Sequence, residues 1–237
     1  MKLAVLTTQT LHHTYFIREV TRVFPVTMAI VEWKVYQAPF DTHHLFEDRR
    51  EMYEREVFFG GKDVSISDIV PVKKVESIND LESLWCLNKL KPDLIIVFGT
   101  GMVSKDITGL YSERIVNLHG GNPQEYRGLD SHLWAIYHRD FNNLVTTLHR
   151  VNKKLDDGEI VSQIPIIPAL GMGLHELRRY NTEICVRLVT SALDVYRRQN
   201  RFISRPQQKK GRYYSFMPAV LKEICLVNFR KYMERIS

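Results

Sequence analysis

The chain of 237 residues has no apolar run that approaches the roughly 18 residues needed to span a bilayer. Its first residues become polar too early for a secretory signal, so we expect a cytoplasmic protein. Cysteine is scarce: three residues lie far apart without a Cys-x-x-Cys pair, which argues against a disulfide framework and against a zinc site. We therefore expect no metal, and buried thiols at Cys86, Cys185 and Cys225.

Acidic residues are missing from the segment between Arg197 and Arg212, which holds seven basic residues and leaves 26 basic against 27 acidic ones elsewhere. A basic run of this kind attracts phosphates of a nucleic acid or of a nucleotide, and a solvated linker is an equally good interpretation. Phe202 is the only aromatic residue within the run. A protein that binds single-stranded nucleic acid usually interleaves more aromatic residues, so this class is an alternative rather than the main prediction.

Strand-like and helix-like hydrophobic patterns alternate over the first two-thirds of the chain. This alternation predicts an α/β fold, a mostly parallel twisted sheet flanked by helices, with a small C-terminal extension. We place a catalytic core at residues 1–200, and a basic segment with a helical appendage at 201–237. The predicted strands are 2–7, 26–32, 93–99, 114–119, 143–151 and 160–166, and the predicted helices are 13–24, 45–59, 78–90, 131–138, 174–198 and 219–235.

Two details of the predicted helices can be checked directly. In helix 45–59 we expect the charged residues to face solvent and the apolar residues Leu45, Phe46, Met52, Tyr53 and Val57 to face the core. At the start of helix 131–138, Asp130 or Ser131 is the expected N-cap.

The motif that carries most chemistry is Asn117-Leu118-His119 at the end of a predicted strand, followed later by Leu155-Asp156-Asp157-Gly158. Side chains two apart on a strand point to the same side, so Asn117 and His119 should face one space. An amide, an imidazole and a carboxylate suit acyl transfer, and open α/β sheets place their sites beyond the strand ends. Asp157 is expected to be an exposed turn residue, and His149 a buried polar group near the site.

Together with Tyr126-Arg127-Gly128, these motifs resemble the formyltransferase family that uses 10-formyltetrahydrofolate. The resemblance covers about residues 1–165 and implies a Rossmann-like formyltransferase core. It also implies that Asn117, His119 and Asp156 are the catalytic residues. The residues implied to bind the cofactor are Gly99, Thr100, Gly101, Met102, Val103, Asn152, Lys153, Lys154 and Leu155.

Departures from that family narrow the acceptor. Glycine is absent before Gly60, so the chain cannot form the phosphate loop that the glycinamide ribotide enzyme carries after its first strand. Gly120 and Gly121 follow the histidine, and a glycine pair permits close approach of a bulkier acceptor. Only 81 residues follow Asp156, too few for the separate C-terminal domain of the tRNA enzyme.

The branch that the chain resembles is that of the bacterial sugar N-formyltransferases. This implies formyl transfer from 10-formyltetrahydrofolate to the amine of a nucleotide-linked amino-dideoxy sugar, with dTDP favoured over UDP as the nucleotide. The product would serve lipopolysaccharide O-antigen or another surface polysaccharide. The resemblance also implies a homodimer. Alternatives are a formyltetrahydrofolate deformylase or another amine acceptor. The candidate substrate-binding residues are His13, Tyr15, Gly120, Gly121, Tyr126, Arg127, Asp130, Tyr213 and Tyr214.

Each catalytic need has a candidate side chain. Asn117 would donate to the developing oxyanion, and Asp156 would orient His119. His119 would either accept the amine proton or stabilise the oxyanion, because both of its protonation states are accessible near neutral pH.

Overall fold

The computed structural model describes residues 1–34 and 37–236 and contains one large sheet and one two-stranded sheet. The strands are β1 Leu3–Thr8, β2 Val26–Glu32, β3 Val72–Val75, β4 Leu94–Phe98, β5 Ile115–His119, β6 Tyr126–Gly128, β7 Val145–Arg150, β8 Ile160–Pro165 and β9 Arg212–Tyr214. The α-helices are α1 Leu11–Val23, α2 Leu45–Phe59, α3 Leu81–Leu90, α4 Lys105–Tyr111, α5 Ser131–Tyr137, α6 Leu177–Gln199 and α7 Ala219–Ile236. No helix in these residues is both long and apolar enough to cross a membrane.

The large sheet has seven strands in the order β3-β2-β1-β4-β5-β7-β8. The first five of these are parallel, and β7 and β8 continue the sheet antiparallel. Helices cover both faces, which confirms the predicted fold class. Because β1, β4 and β5 are parallel neighbours, their carboxyl ends meet at one edge, where the chain leaves each strand for a loop.

Each face of the sheet packs against its own set of apolar side chains. Strand residues such as Val5, Ile96 and Leu118 pack with α1 and α6 on one face. Alternate residues such as Leu6, Val97 and Ile115 pack with α3 and α4 on the other. The side chains alternate because a strand has a period of two, so Asn117 and His119 continue the α4 side of β5.

Helix α2 corrects the sequence prediction of its apolar side. Leu45 and Met52 are more than 70% exposed, whereas Phe46, Phe58 and the carboxylate Glu54 are buried. Glu54 is buried because it receives two hydrogen bonds from an arginine of α6. A charge with a complete partner can enter the interior, which a pattern based on hydrophobicity alone does not anticipate.

The C-terminal part packs against the core instead of extending from it as a linker. β9 pairs parallel with β6, and α7 packs on α5. Within the basic segment, Phe202 is buried and Arg205 forms a bridge to Ile160. The segment is therefore tied to the core at these points, while its seven basic residues are exposed to solvent. The division of the chain at residue 200 stays a prediction, and its predicted end, Ser237, lies outside the described residues.

Candidate active site

Three polar side chains meet at the carboxyl end of β5. Asn117 and His119 project from the strand to the same side, and the loop after β7 brings Asp156 to them. An oxygen of Asp156 lies 3.4 Å from the Asn117 amide nitrogen, and the other lies 3.6 Å from Nδ1 of His119. We call these residues the candidate trio. Both His119 and Asp156 are about 95% buried, so their charges interact at low effective dielectric.

Asp156 has hydrogen-bond donors on both of its oxygens. Oδ2 accepts the Gly128 N–H at 2.8 Å, and Oδ1 accepts from the Asn117 amide at 3.4 Å. Burial alone would raise the pKa of Asp156, but the neighbouring His119 and His149 and the Gly128 N–H hold it well below its usual range. The carboxylate is therefore ionised throughout the neutral range.

The hydrogen bonds of His119 define its tautomer. Nε2 lies 2.8 Å from the Tyr126 carbonyl oxygen, which only accepts, so Nε2 carries the proton. In the neutral ring Nδ1 then has the lone pair, and it faces Asp156. A proton added at Nδ1 would be stabilised by the carboxylate charge.

His149 completes the cluster from the neighbouring antiparallel strand. It lies directly opposite Asn117 in the β5–β7 register, and its Nε2 is 3.1 Å from the Asn117 amide nitrogen. Its Nδ1 donates to the Arg150 carbonyl oxygen at 2.8 Å, so Nε2 accepts from Asn117. The sequence indicated a buried polar group here, but only the pairing of β5 with β7 shows that it fixes the amide of the candidate trio.

The Leu-Asp-x-Gly turn has two backbone requirements. Asp156 has φ +48°, a left-handed conformation that aspartate tolerates better than most residues. A Cβ at Gly158 would lie 1.6 Å from the Arg150 carbonyl oxygen, so no other residue fits there without a backbone shift. The motif thus holds Asp156 at the end of a turn that crosses closely over β7.

Gly120 and Gly121 make room for protein side chains, and this corrects the reason for predicting them as acceptor contacts. A Cβ at Gly121 would lie 2.7 Å from Cβ of Ser131 and 2.9 Å from Nε2 of His119. A Cβ at Gly120 would meet the His132 ring at 3.3 Å. The space beside the glycine pair is already filled, so Gly121 is needed for the position of the imidazole.

Tyr126-Arg127-Gly128 forms β6 and lies next to the candidate trio. Arg127 is buried and donates to Asp157 at 2.7 Å. Arg127 also lowers the pKa of Asp157, although burial opposes this. The prediction that Asp157 is an exposed turn residue is therefore wrong, because it pairs with a buried guanidinium.

The aromatic residues of this segment form a stacked group with the C-terminal part. Tyr214 stacks on Tyr126 and on Trp134, with ring centroids 5.4 and 5.0 Å apart. Tyr213 is 62% exposed. Asp130 is the N-cap residue of α5, as predicted, but its carboxylate makes no capping hydrogen bond and instead accepts the Met217 N–H at 2.8 Å. The three predicted substrate positions Tyr126, Asp130 and Tyr214 thus hold the C-terminal segment against α5.

The two remaining predicted substrate residues lie on α1. His13 is buried, and its ring lies over Gly99, the first residue of the predicted cofactor loop 99–103. Tyr15 stacks on Phe58 of α2, with ring centroids 4.0 Å apart. The structure therefore brings His13 to the carboxyl edge of the sheet and places Tyr15 between two helices.

A cavity of about 550 Å³ lies between α4 and the loop that leads to Asp156. Its lining includes Asn152, Lys153 and Lys154 of the predicted cofactor set, together with residues of α4 and Gly158. The loop 99–103 and Leu155 are not among the lining residues. A volume of this size suits a small-molecule ligand, and the cavity reaches the turn that carries Asp156.

Sequence reasoning missed several polar side chains around the glycine pair. Oγ of Ser131 is buried without a hydrogen-bond partner, and Asn181 lies 3.7 Å from the Cβ position of Gly120. His132 donates to the Val145 carbonyl oxygen, and burial lowers its pKa to about 4. Ser131 was expected only as an N-cap, and no motif marks His132 or Asn181; α5 brings the first two residues to the site, and α6 brings Asn181 from a distant part of the chain.

The central part of the chain, which holds the candidate trio, is similar to known proteins. Residues 70–178 match the formyl transferase family model, and this region contains the whole candidate trio. A bifunctional polymyxin resistance protein ArnA from Wigglesworthia glossinidia brevipalpis is 37% identical over 112 residues, 46% of this chain and 17% of that protein. A methionyl-tRNA formyltransferase from Finegoldia magna is 27% identical over 157 residues, 66% of this chain and 49% of that protein. The chain thus spans half or less of these two relatives.

A solved structure gives the same result for the fold. The formyltransferase PseJ from Anoxybacillus kamchatkensis, in complex with UDP-4,6-dideoxy-4-formamido-L-AltNAc and tetrahydrofolate, superposes with a TM-score of 0.53 at 18% identity. The superposition covers 90% of this chain and 85% of that one. Residues 70–178 therefore match a formyl transferase domain, and the fold of the chain is similar to that of a formyltransferase.

Proposed function

We propose that the protein transfers a formyl group from 10-formyltetrahydrofolate to the amine of a nucleotide-linked amino-dideoxy sugar. The observation that carries the proposal is the buried convergence of Asn117, His119 and Asp156 at the end of β5, inside the matched family region. The three groups supply an amide donor, a proton acceptor and a fixed negative charge. These are the groups that attack of an amine on a formyl carbon requires.

In the proposed reaction, the neutral amine attacks the formyl carbon and an oxyanion develops on the formyl oxygen. Asn117 donates to this oxygen, which is a contribution of about 3 to 4 kcal/mol in a comparable hydrolase site. His119 receives the amine proton at Nδ1, and Asp156 stabilises the resulting imidazolium. The tetrahydrofolate nitrogen leaves and takes up a proton.

The cofactor would supply the formyl group, and we propose that the 152–154 loop takes part in holding it. The cavity between α4 and the 152–154 loop is lined by Asp157 and Gly158, which follow Asp156, and by Lys153 and Lys154. The tetrahydrofolate in the PseJ complex supports the same class of donor. We include the loop 99–103 in the proposed cofactor site.

The acceptor class is the finer part of the proposal. PseJ, in complex with a UDP-linked formamido sugar, resembles this chain over most of both lengths. A dTDP-linked 4-amino-4,6-dideoxyhexose, used for bacterial surface polysaccharide, is our first choice of acceptor. Methionyl-tRNA formyltransferases are also similar to the chain, so tRNA is the second candidate acceptor. We also propose a homodimer, which light scattering can test.

The direct test is incubation with 10-formyltetrahydrofolate and a panel of dTDP- and UDP-linked aminosugars, with methionyl-tRNA as a separate arm. Mass spectrometry should find the gain of one CO unit in an aminosugar nucleotide. Formylation of methionyl-tRNA alone, or release of formate without an acceptor, would refute the sugar assignment. Asn117→Ala, His119→Asn and Asp156→Asn should each lower turnover by about 10²- to 10⁴-fold.

A further inference from the structure

A cluster of charged side chains lies where α1, α2 and α6 pack together. Arg178 of α6 donates from Nε and Nη2 to the two oxygens of Glu54, at 2.6 and 2.5 Å, and Glu54 is fully buried. Arg50 lies one turn before Glu54 on α2, and so on the same face of that helix. The cluster therefore holds one complete ion pair, Arg178 with Glu54, and a second guanidinium group, that of Arg50.

Arg50 is the incompletely paired member of this cluster. Its Nη2 donates to Glu47 at 3.1 Å, and Lys222 shares that carboxylate. Its Nε is buried and has no acceptor. Burial and the nearby charge of Arg178 lower the pKa of Arg50. A buried donor without an acceptor costs free energy, so this position is suited to a ligand that brings an acceptor.

His12, in the first turn of α1, adds a further donor. Oγ of Thr10 accepts the His13 N–H and lies 3.0 Å from Nδ1 of His12. With the Thr10 hydroxyl donating to Nδ1, the neutral ring carries its proton on Nε2, for which the described residues provide no partner. Burial, His13 and both arginines lower the pKa of His12 well below its ordinary value, so the ring is an uncharged donor at neutral pH.

The cluster is connected to the candidate trio through α6 and α5. Asn181 lies one turn after Arg178 on α6 and next to Gly120, the residue that follows His119. Residues one turn apart on a helix have Cβ atoms about 5 to 6 Å apart. Arg178, which pairs with Glu54, and Asn181, which lies beside Gly120, are thus neighbours on one side of α6.

We propose that Arg50, Arg178 and His12 bind the diphosphate of the acceptor. This inference rests on the proposed function and adds the residues that recognise the nucleotide sugar. Phosphate oxygens placed between two guanidinium groups would supply the acceptor that Nε of Arg50 lacks and would reduce the repulsion between the arginines. The chain would then bind phosphate with side chains, in place of the glycine loop that is missing after β1.

The test uses inorganic pyrophosphate, thymidine diphosphate and uridine diphosphate, with binding measured by calorimetry. Arg50→Met should weaken binding by at least about tenfold. Arg49→Met is the matched control, because it removes the same charge from an exposed position of the same helix, and its affinity should equal that of the unmodified protein. Arg50→Lys keeps the charge but lacks the Nε donor, so its affinity should lie between those of the Arg50→Met and Arg49→Met variants. Equal affinities of the Arg50→Met and Arg49→Met variants would refute the site.

A second measurement separates this site from the proposed function and from a purely structural ion-pair network. In the formyl-transfer assay, Arg50→Met should raise the KM for the sugar nucleotide about tenfold or more, with little change in kcat. A network that only holds the helices together would lower thermal stability and leave KM unchanged, which would overturn the inference. Pyrophosphate binding that depends on Arg50, without formylation of any aminosugar, would instead refute the proposed acceptor and retain the anion site.

Discussion

Asp156→Asn is the substitution for which the structure gives the most specific expectation. The two oxygens of Asp156 both accept: Oδ2 from the Gly128 N–H and Oδ1 from the Asn117 amide. An asparagine has one oxygen and one NH₂ group, so either orientation of the amide points a donor at a donor. Asparagine therefore keeps the shape of the aspartate at this position but not its hydrogen-bond pattern.

The magnitude follows from burial. Asp156 is only 6% exposed, so the mismatched donor cannot reach water and should cost about 1 to 3 kcal/mol of unfolding free energy. The substitution also removes the charge that would stabilise the His119 imidazolium, and we expect turnover to fall by about 10²- to 10⁴-fold. Urea unfolding and the formyl-transfer assay measure the two effects separately.

The pH dependence of stability tests whether the ionised carboxylate of Asp156 is the source of this stabilisation. The pKa of Asp156 is lowered by folding, so its ionised form stabilises the protein above the unfolded value of about 3.9 and loses this contribution as the pH falls below it. The stability difference between the unmodified and Asp156→Asn proteins should therefore narrow below about pH 4. A variant that matches the unmodified protein in both stability and turnover at pH 7 would refute the reasoning.

Three further substitutions test other parts of the structure. Gly121→Ala should lower turnover at least about tenfold with an unchanged circular dichroism spectrum, since the added Cβ lies 2.9 Å from Nε2 of His119 and displaces the ring; normal turnover would contradict this. Glu54→Gln should cost about 3 kcal/mol in urea unfolding, because it leaves the Arg178 charge without its buried partner; a loss below 1 kcal/mol would count against the ion pair. Burial lowers the pKa of His132 to about 4, so between about pH 6.5 and 4 the unfolded chain binds a proton that the folded chain does not. The free energy of unfolding should therefore decrease as the pH is lowered from about 6.5 to 4. His132→Gln should reduce that slope by about 1.4 kcal/mol per pH unit, and an unchanged slope would contradict the assignment.

The parts of the fold that depend on local patterns could be predicted from the sequence. The second strand was expected at 26–32 and the structure has Val26–Glu32. The helix expected at 45–59 is Leu45–Phe59. Apolar periodicity and terminating glycines act over a few residues, so these boundaries need no knowledge of the tertiary structure. The same reasoning placed Asn117 and His119 on one side of β5.

The parts that depend on pairing between distant segments could not be predicted. Glu54 is buried only because Arg178, 124 residues later, provides both hydrogen bonds. His149 meets Asn117 only because β7 is antiparallel to β5. A periodic pattern indicates which side of an element faces the core, but it does not say which charged partner comes from elsewhere in the chain.

Within the proposed mechanism, the hydrogen bonds around His119 favour one of its two candidate roles. A neutral ring could stabilise the oxyanion only by donating from Nε2, which requires the loss of its bond to the Tyr126 carbonyl oxygen and leaves a buried acceptor unpaired. To accept the amine proton, it uses Nδ1, which has no proton to lose and already faces Asp156 at 3.6 Å. Asn117 can turn to the oxyanion by exchanging its longer bond, 3.4 Å to Asp156, and keep the bond to His149. The base role therefore breaks fewer buried hydrogen bonds, and it assigns the developing negative charge to Asn117 and the transferred proton to His119.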